Sequence, residues 1–149
     1  MSESSLQERF APRSICFGCG PANPKGLHIR SFIRGDEAVA TWRPESHHEA
    51  FPGMLNGGII GSLLDCHCNW TAAWHLMQRN QLAHPPCTVT ADYATQHLPP
   101  TPPDGAVALS ANCVASPPDR ATREGPPTPA GQPAAHRRAP PAPLPRGNP

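Results

Sequence analysis

The sequence lacks most of what would announce a specialised class. Twelve Lys and Arg stand against eleven Asp and Glu, a formal net charge of +1 over 149 residues. So small a charge gives no electrostatic case for nucleic acid. No window is long and apolar enough to span a bilayer, and the opening residues MSESSLQERF are too polar for a signal peptide. The six cysteines come without an export signal, so they read as free thiols rather than a disulfide framework. A cytoplasmic protein with no membrane and no nucleic-acid partner is expected. No second C-x-x-C accompanies Cys16 and Cys19, which leaves them as half of a zinc site. Cys66, His67 and Cys68 cannot complete it together, because successive helical side chains point about 100° apart. Neither metal nor cofactor is expected.

The strongest absence lies at the end. From Ala115 to Pro149 there is no Ile, Val, Met, Phe, Tyr, Trp or Cys, and the one leucine is Leu144. Eleven of the 22 prolines fall there. Such a segment buries too little apolar surface to offset its ordering entropy, so residues 115–149 are expected to be a disordered tail. Two origins fit this composition. One is a proline-rich, extended segment. The other is a shifted reading frame, since Pro, Ala, Arg and Gly are what GC-rich codons give out of register.

What is there centres on Phe51–Met77, FPGMLNGGIIGSLLDCHCNWTAAWHLM. Ile59, Ile60, Leu63, Leu64, Trp70, Trp74 and Met77 recur at spacings of three and four, which predicts a helix. Asn56 is a natural N-cap, and Gly57 and Gly58 let the backbone turn tightly into it. Asp65 sits inside this apolar run, where a carboxylate rarely stands without a partner or a purpose.

Around that helix the chain divides into a flexible arm at 1–14, one domain at 15–114 and the tail. The arm is a frayed segment or a short helix. Cys16 to Leu27 is turn chemistry throughout. His28–Ile33 and Ala38–Trp42 read as a hairpin about Arg34-Gly35-Asp36. His47 and His48 lie in a polar connector and are expected to be solvated. Cys87–His97 alternates as a strand, with Thr88, Thr90 and Asp92 on one face, and Ala106–Val114 is a second.

Together CFGCGPANPKGL, FPGMLNGGIIGSLLDCHCNWTAAW and TVTADY resemble the PaaI-type branch of the hotdog-fold acyl-CoA thioesterases, over about residues 15–114. The resemblance implies an α+β hotdog fold: an antiparallel sheet wrapped around one long helix, in homodimers or homotetramers. It implies metal-free hydrolysis of acyl-CoA. It also implies two further strands after Val114, which this sequence does not provide. Many relatives have His where this chain has Asn56, and some have Asn where it has Ala50.

The residues support that chemistry on their own terms. N–H groups at a helix N-terminus can hold the oxyanion of an attacked thioester, and Gly57 offers one with no side chain in the way. Asp65 can activate water or attack directly. Gly57 and Asp65 are eight residues apart, roughly 12 Å along one helix. One carbonyl cannot touch both, so a site shared between two antiparallel helices of neighbouring subunits is expected. Catalytic roles thus fall to Asp65, Gly57 and Asn56. Gly58, Trp70 and Trp74 are candidates for binding substrate, and Arg30, Arg34 and Arg43 for the coenzyme A phosphates. Two other classes stay open: a non-catalytic acyl-CoA-binding module, and a protein that binds partners through its tail.

Translating the coding DNA past Leu109 in all three frames separates the two origins of the tail. Alternating apolar strands in another frame identify a frameshift; their absence makes the proline-rich tail genuine.

Overall fold

A computed structural model describes residues 3–90, 94–95, 105–115, 122–124, 127–129 and 137–138. The chain begins with helix α1 (Leu6–Phe10) and continues through strands β1 (Phe32–Arg34) and β2 (Glu37–Trp42) to a 3-10 turn (Ser46–His48). Strands β3 (Glu49–Phe51) and β4 (Met54–Leu55) lead into helix α2 (Gly57–Arg79). Then come β5 (Ala94–Thr95), β6 (Val107–Ala115), β7 (Thr122–Glu124), β8 (Pro127–Pro129) and β9 (Arg137–Arg138).

An antiparallel sheet packed on one long helix is the architecture. Its order is β1-β2-β6-β7, with β8 also on β6. Phe32 pairs with Val39 and Arg34 with Glu37, so Gly35 and Asp36 form a two-residue turn. Gly35 has φ +61°, the positive φ at the first turn position that a type II′ hairpin uses. The first strand starts four residues later than expected because its early backbone is engaged elsewhere. Leu27 N–H donates to Phe17 O and Ile29 N–H to Gly18 O, which ties this stretch to the cysteine loop.

Alternation decides what the sheet offers the helix. Ala38, Ala40 and Trp42 of β2 are buried, as are Val107, Leu109 and Ala111 of β6. Small residues at 38 and 40 leave room for α2 to approach. Ile60, Leu63 and Leu64 complete the core with Leu27, Ile29 and Leu55. Burying one such side chain contributes about 1.5–3 kcal/mol. The Trp42 indole enters this core with its Nε1–H donated to Leu27 O at 2.8 Å.

Of the two forms expected for the arm at 1–14, a frayed segment or a short helix, the described residues take the helix. Ser5 and Glu8 form a reciprocal capping box on α1, and Ser5, Leu6 and Gln7 are buried. Glu3 and Glu8 bind Arg34 and Arg30, so the segment is held rather than loose. One expectation needs correction: His48 is buried instead of solvated. Its Nδ1 accepts from Glu45 N–H at 2.8 Å, and its ring packs against Trp42 with centroids 4.9 Å apart. His47 is exposed as expected. Most of the tail, and with it the expectation of disorder, lies outside the described residues. Those described include β7 and β8, which pair with β6 along one line: Cys113 with Arg123, Asn112 with Glu124, Leu109 with Pro127, Val107 with Pro129. β9 pairs with β5. Strand pairing uses backbone groups, so it does not need the apolar side chains this segment lacks. Prolines are tolerated here because the strand lies at an edge. Among the described residues these are pieces of two or three residues.

One buried polar network joins these parts. His67 has no exposed surface; its Nε2–H donates to Ala38 O at 3.0 Å. That fixes Nδ1 as acceptor for the Ser31 hydroxyl at 2.9 Å. Gln7 completes the set: its Oε1 accepts from Ser31 N–H at 2.9 Å, and its Nε2 donates to Ser31 Oγ at 3.0 Å. Burial drives the His67 pKa from 6.5 down to about 4, so the ring is neutral.

Gln7→Ala strands the Ser31 N–H and should cost about 1–3 kcal/mol in urea denaturation. His67 binds a proton more readily in the unfolded chain, so its stabilisation is whole above pH 6.5 and is lost as pH falls towards 4. A His67→Gln variant should start less stable and lose stability less steeply over that window.

Candidate active site

Helix α2 carries the candidate residues along its first half. Asn56 has extended φ and ψ, and its Oδ1 accepts from Gly58 N–H at 2.8 Å and Ile59 N–H at 3.2 Å. Its carbonyl takes Ile60 N–H. The cap therefore uses three of the four first-turn donors. Gly57 N–H remains without an acceptor among the described residues, and Asn56, Gly57 and Gly58 are all exposed. Gly58 is needed for the cap itself, since a Cβ there would lie 2.9 Å from Asn56 Oδ1.

Two turns on, Asp65 is half-buried and accepts from the Thr90 hydroxyl at 2.6 Å. One turn further, Asn69 Nδ2 donates to Thr88 O at 3.2 Å and its Oδ1 accepts from the Thr88 hydroxyl. Asp65 and Asn69 thus share a helix face, but that face is covered by the Thr88–Thr90 segment rather than solvated. The alternation of residues 87–97 had placed Thr88 and Thr90 on one face, and that is the face turned to the helix. Asp92 lies outside the described residues.

Asp65 lines a cavity of about 460 Å³. Trp70, Cys16, Cys19, Cys66 and Phe10 share that lining. Trp74 does not. It lines a separate cavity of about 600 Å³ beside Asp36 and His75. Its ring packs against Phe10 with centroids 6.3 Å apart, beneath the Arg9 guanidinium. So Asp65 and Trp70 are brought together, Trp74 is held apart, and Asn56–Gly58 sit at the helix start, outside the Asp65 cavity. Arg30 and Arg34 are paired with Glu8 and Glu3, which leaves exposed Arg43 as the candidate phosphate ligand without an ion pair among the described residues.

The same cavity holds a group that sequence spacing did not reveal. The thiols of Cys16, Cys19 and Cys66 lie within 4.8 Å of one another. Cys16 and Cys66 are 3.7 Å apart, and Trp70 Nε1–H donates to Cys19 Sγ at 3.3 Å. A hydrogen bond from Cys66, helped by Trp70, lowers the Cys19 pKa to about 6 against the effect of burial. Cys66, which keeps the shared proton, is pushed up. Only the C-x-x-C pair was legible; Cys66 arrives from a distant helix.

No protein-family model and no curated protein matches the sequence. Solved structures do match the fold. A thioesterase superfamily protein from Shewanella loihica PV-4 is 26% identical with a TM-score of 0.66, covering 84% of this chain and 98% of its own. Another thioesterase superfamily protein is 19% identical with a TM-score of 0.69, covering 95% and 70%. A hypothetical thioesterase from Streptococcus pneumoniae TIGR4, solved with coenzyme A, is 14% identical with a TM-score of 0.62, covering 78% and 87%. The chain has the hotdog fold of the thioesterase superfamily.

If Asn56 serves as the cap, Asn56→Ala frees two donors and should lower stability by about 0.5–2 kcal/mol, while Asn56→Asp should hold it. Thermal melts of the two variants check this.

Proposed function

We propose that the chain hydrolyses acyl-CoA thioesters, with Asp65 as the catalytic carboxylate and Gly57 N–H of a second copy as oxyanion donor. The observation that carries this reading is the half-buried Asp65 carboxylate on a substrate-sized cavity, oriented by Thr90, in a hotdog fold. The neighbour solved with coenzyme A supports the substrate class.

In the simplest course Asp65 takes a proton from water as its oxygen attacks the thioester carbonyl. The C=O electrons move onto oxygen, where Gly57 N–H and the positive end of the helix dipole stabilise them. Collapse breaks the C–S bond, releasing the free acid and the coenzyme A thiolate, which takes the proton back. In the alternative course Asp65 attacks directly, and water then hydrolyses the mixed anhydride. Asn56 takes no part in proton transfer, since an amide does not titrate near neutral pH and its oxygen is engaged in the cap. Gly57 and Asp65 are about 12 Å apart on one helix, so the donor comes from a neighbouring subunit in an antiparallel homodimer or a tetramer built from it.

Asp65→Asn keeps the shape and the Thr90 contact. It should reduce kcat on acyl-CoA by about 10²–10⁴-fold with little change in melting temperature. If the native chain binds acyl-CoA without turnover, and Asp65→Asn binds equally well, the chain is a binding module and not an enzyme.

A mixing experiment tests the shared site. Gly57→Pro removes the donor N–H at a position where proline fits. It is the first helical residue, and Asn56 already has ψ 130°. Homodimers of either variant should be impaired at both sites. Co-expressed Asp65→Asn and Gly57→Pro chains should regain activity, because a mixed dimer has one site with both groups intact. No regain would rule out the shared arrangement.

A further inference from the structure

We infer that Cys16, Cys19 and Cys66 form a three-thiolate site for a soft divalent cation, Zn²⁺, clamping the cysteine loop to helix α2. The inference does not rest on the proposed hydrolysis.

Distance favours a metal over a disulfide. Two ligands of a tetrahedral zinc with Zn–S near 2.3 Å lie about 3.8 Å apart. Cys16 and Cys66 are 3.7 Å apart, and Cys19 completes a triangle with no side over 4.8 Å. A disulfide requires about 2.05 Å and would use only two of the three thiols.

The backbone is built to hold the triangle. Gly20 N–H donates to Cys16 O at 2.9 Å, closing a turn that places both loop thiols on one side. Neither glycine of this loop can be replaced without displacing it. A Cβ at Gly20 would lie 2.4 Å from Cys16 N and 2.5 Å from Ser14 O; one at Gly18 would lie 2.4 Å from Cys66 Sγ. The close approach of Gly18 to Cys66 is what brings the loop onto the helix.

Second neighbours suit thiolates as well. An indole N–H is only a donor, and Trp70 aims its own at Cys19 Sγ. Such outer contacts orient and stabilise metal ligands. On binding, each thiol releases its proton to solvent as an S–Zn bond forms, and no electron is transferred. Three protein ligands leave a fourth tetrahedral position on the cavity side, for water or another ligand from that lining.

The test uses the full chain, reduced and stripped with chelator, then titrated with Co²⁺ as a spectroscopic probe. Binding should saturate at one ion per chain, with thiolate charge-transfer absorption and tetrahedral ligand-field bands. Zn²⁺ should displace both. Cys16→Ser and Cys66→Ser should each weaken binding by more than the roughly 10–100-fold that loss of an outer contact costs. Trp70→Phe should fall within that range and keep the stoichiometry. Cys113→Ser, outside the cluster, should bind like the native chain. Circular dichroism in metal-free buffer establishes that each variant is folded; Cys16 is exposed, so its serine variant is the safest reading. A folded, reduced chain that shows no thiolate band with Co²⁺ would overturn the inference. So would unchanged binding in Cys16→Ser, or a Cys16–Cys66 disulfide in protein purified under reducing conditions.

Discussion

Everything in this fold that positions chemistry depends on the buried bond from His67 Nε2–H to the Ala38 carbonyl. A histidine with no exposed surface is costly unless both ring nitrogens are satisfied. Ala38 satisfies one and Ser31 the other, and Ser31 is in turn satisfied by Gln7. Four segments distant in sequence are thereby fixed to one another: α1, the stretch before β1, β2 and α2. Apolar packing alone would let α2 slide or rotate on the sheet at modest cost. A neutral imidazole with two directional partners does not allow that, so it sets the rotation of the helix and therefore where Asp65 and Cys66 point.

Among the described residues β6 is the central strand, with β2 continuous along one edge and the short β7 and β8 along the other. Proline at 127 and 129 supplies no N–H to that pairing. The α2-facing side chains of β2 and β6 still form a closed core, with Val107, Leu109, Leu63 and Leu64 nearly or fully buried.

Much of this was legible in the sequence, and the reasons differ by element. The helix was plain because apolar spacing, an asparagine cap and two glycines agree, and α2 begins at Gly57 as they indicate. The β1–β2 turn was plain because Arg-Gly-Asp between two apolar runs has few other uses. α1 could have been found from Ser5-x-x-Glu8, the spacing of a capping box, but its anchor Gln7 reads as an ordinary surface residue. His48 was misread because its burial depends on Trp42, six residues away on a strand end. Trp70 and Trp74 are one turn apart and look equivalent in sequence, yet they line different cavities, because Phe10 from α1 packs against one of them. Of the thiol cluster only the Cys16-x-x-Cys19 pair was legible, since Cys66 joins it from a helix fifty residues on.

The same 100° step that keeps Cys66, His67 and Cys68 from serving one ion explains why this part of α2 can carry three functions. Asp65 and, one turn later, Asn69 face the Thr88–Thr90 segment. Cys66 turns to the cysteine loop, and His67 turns to the core. Three successive residues thus contact three separate parts of the chain. Locking the orientation of any one fixes the other two, because the helix between them is rigid on the scale of a single turn. His67 supplies a lock from inside and the thiol cluster a second from the loop side. Asp65 is set by the same helix, and its carboxylate lines the cavity with the Thr90 hydroxyl donating to it. The rotation of α2 therefore decides which part of the chain Asp65 faces.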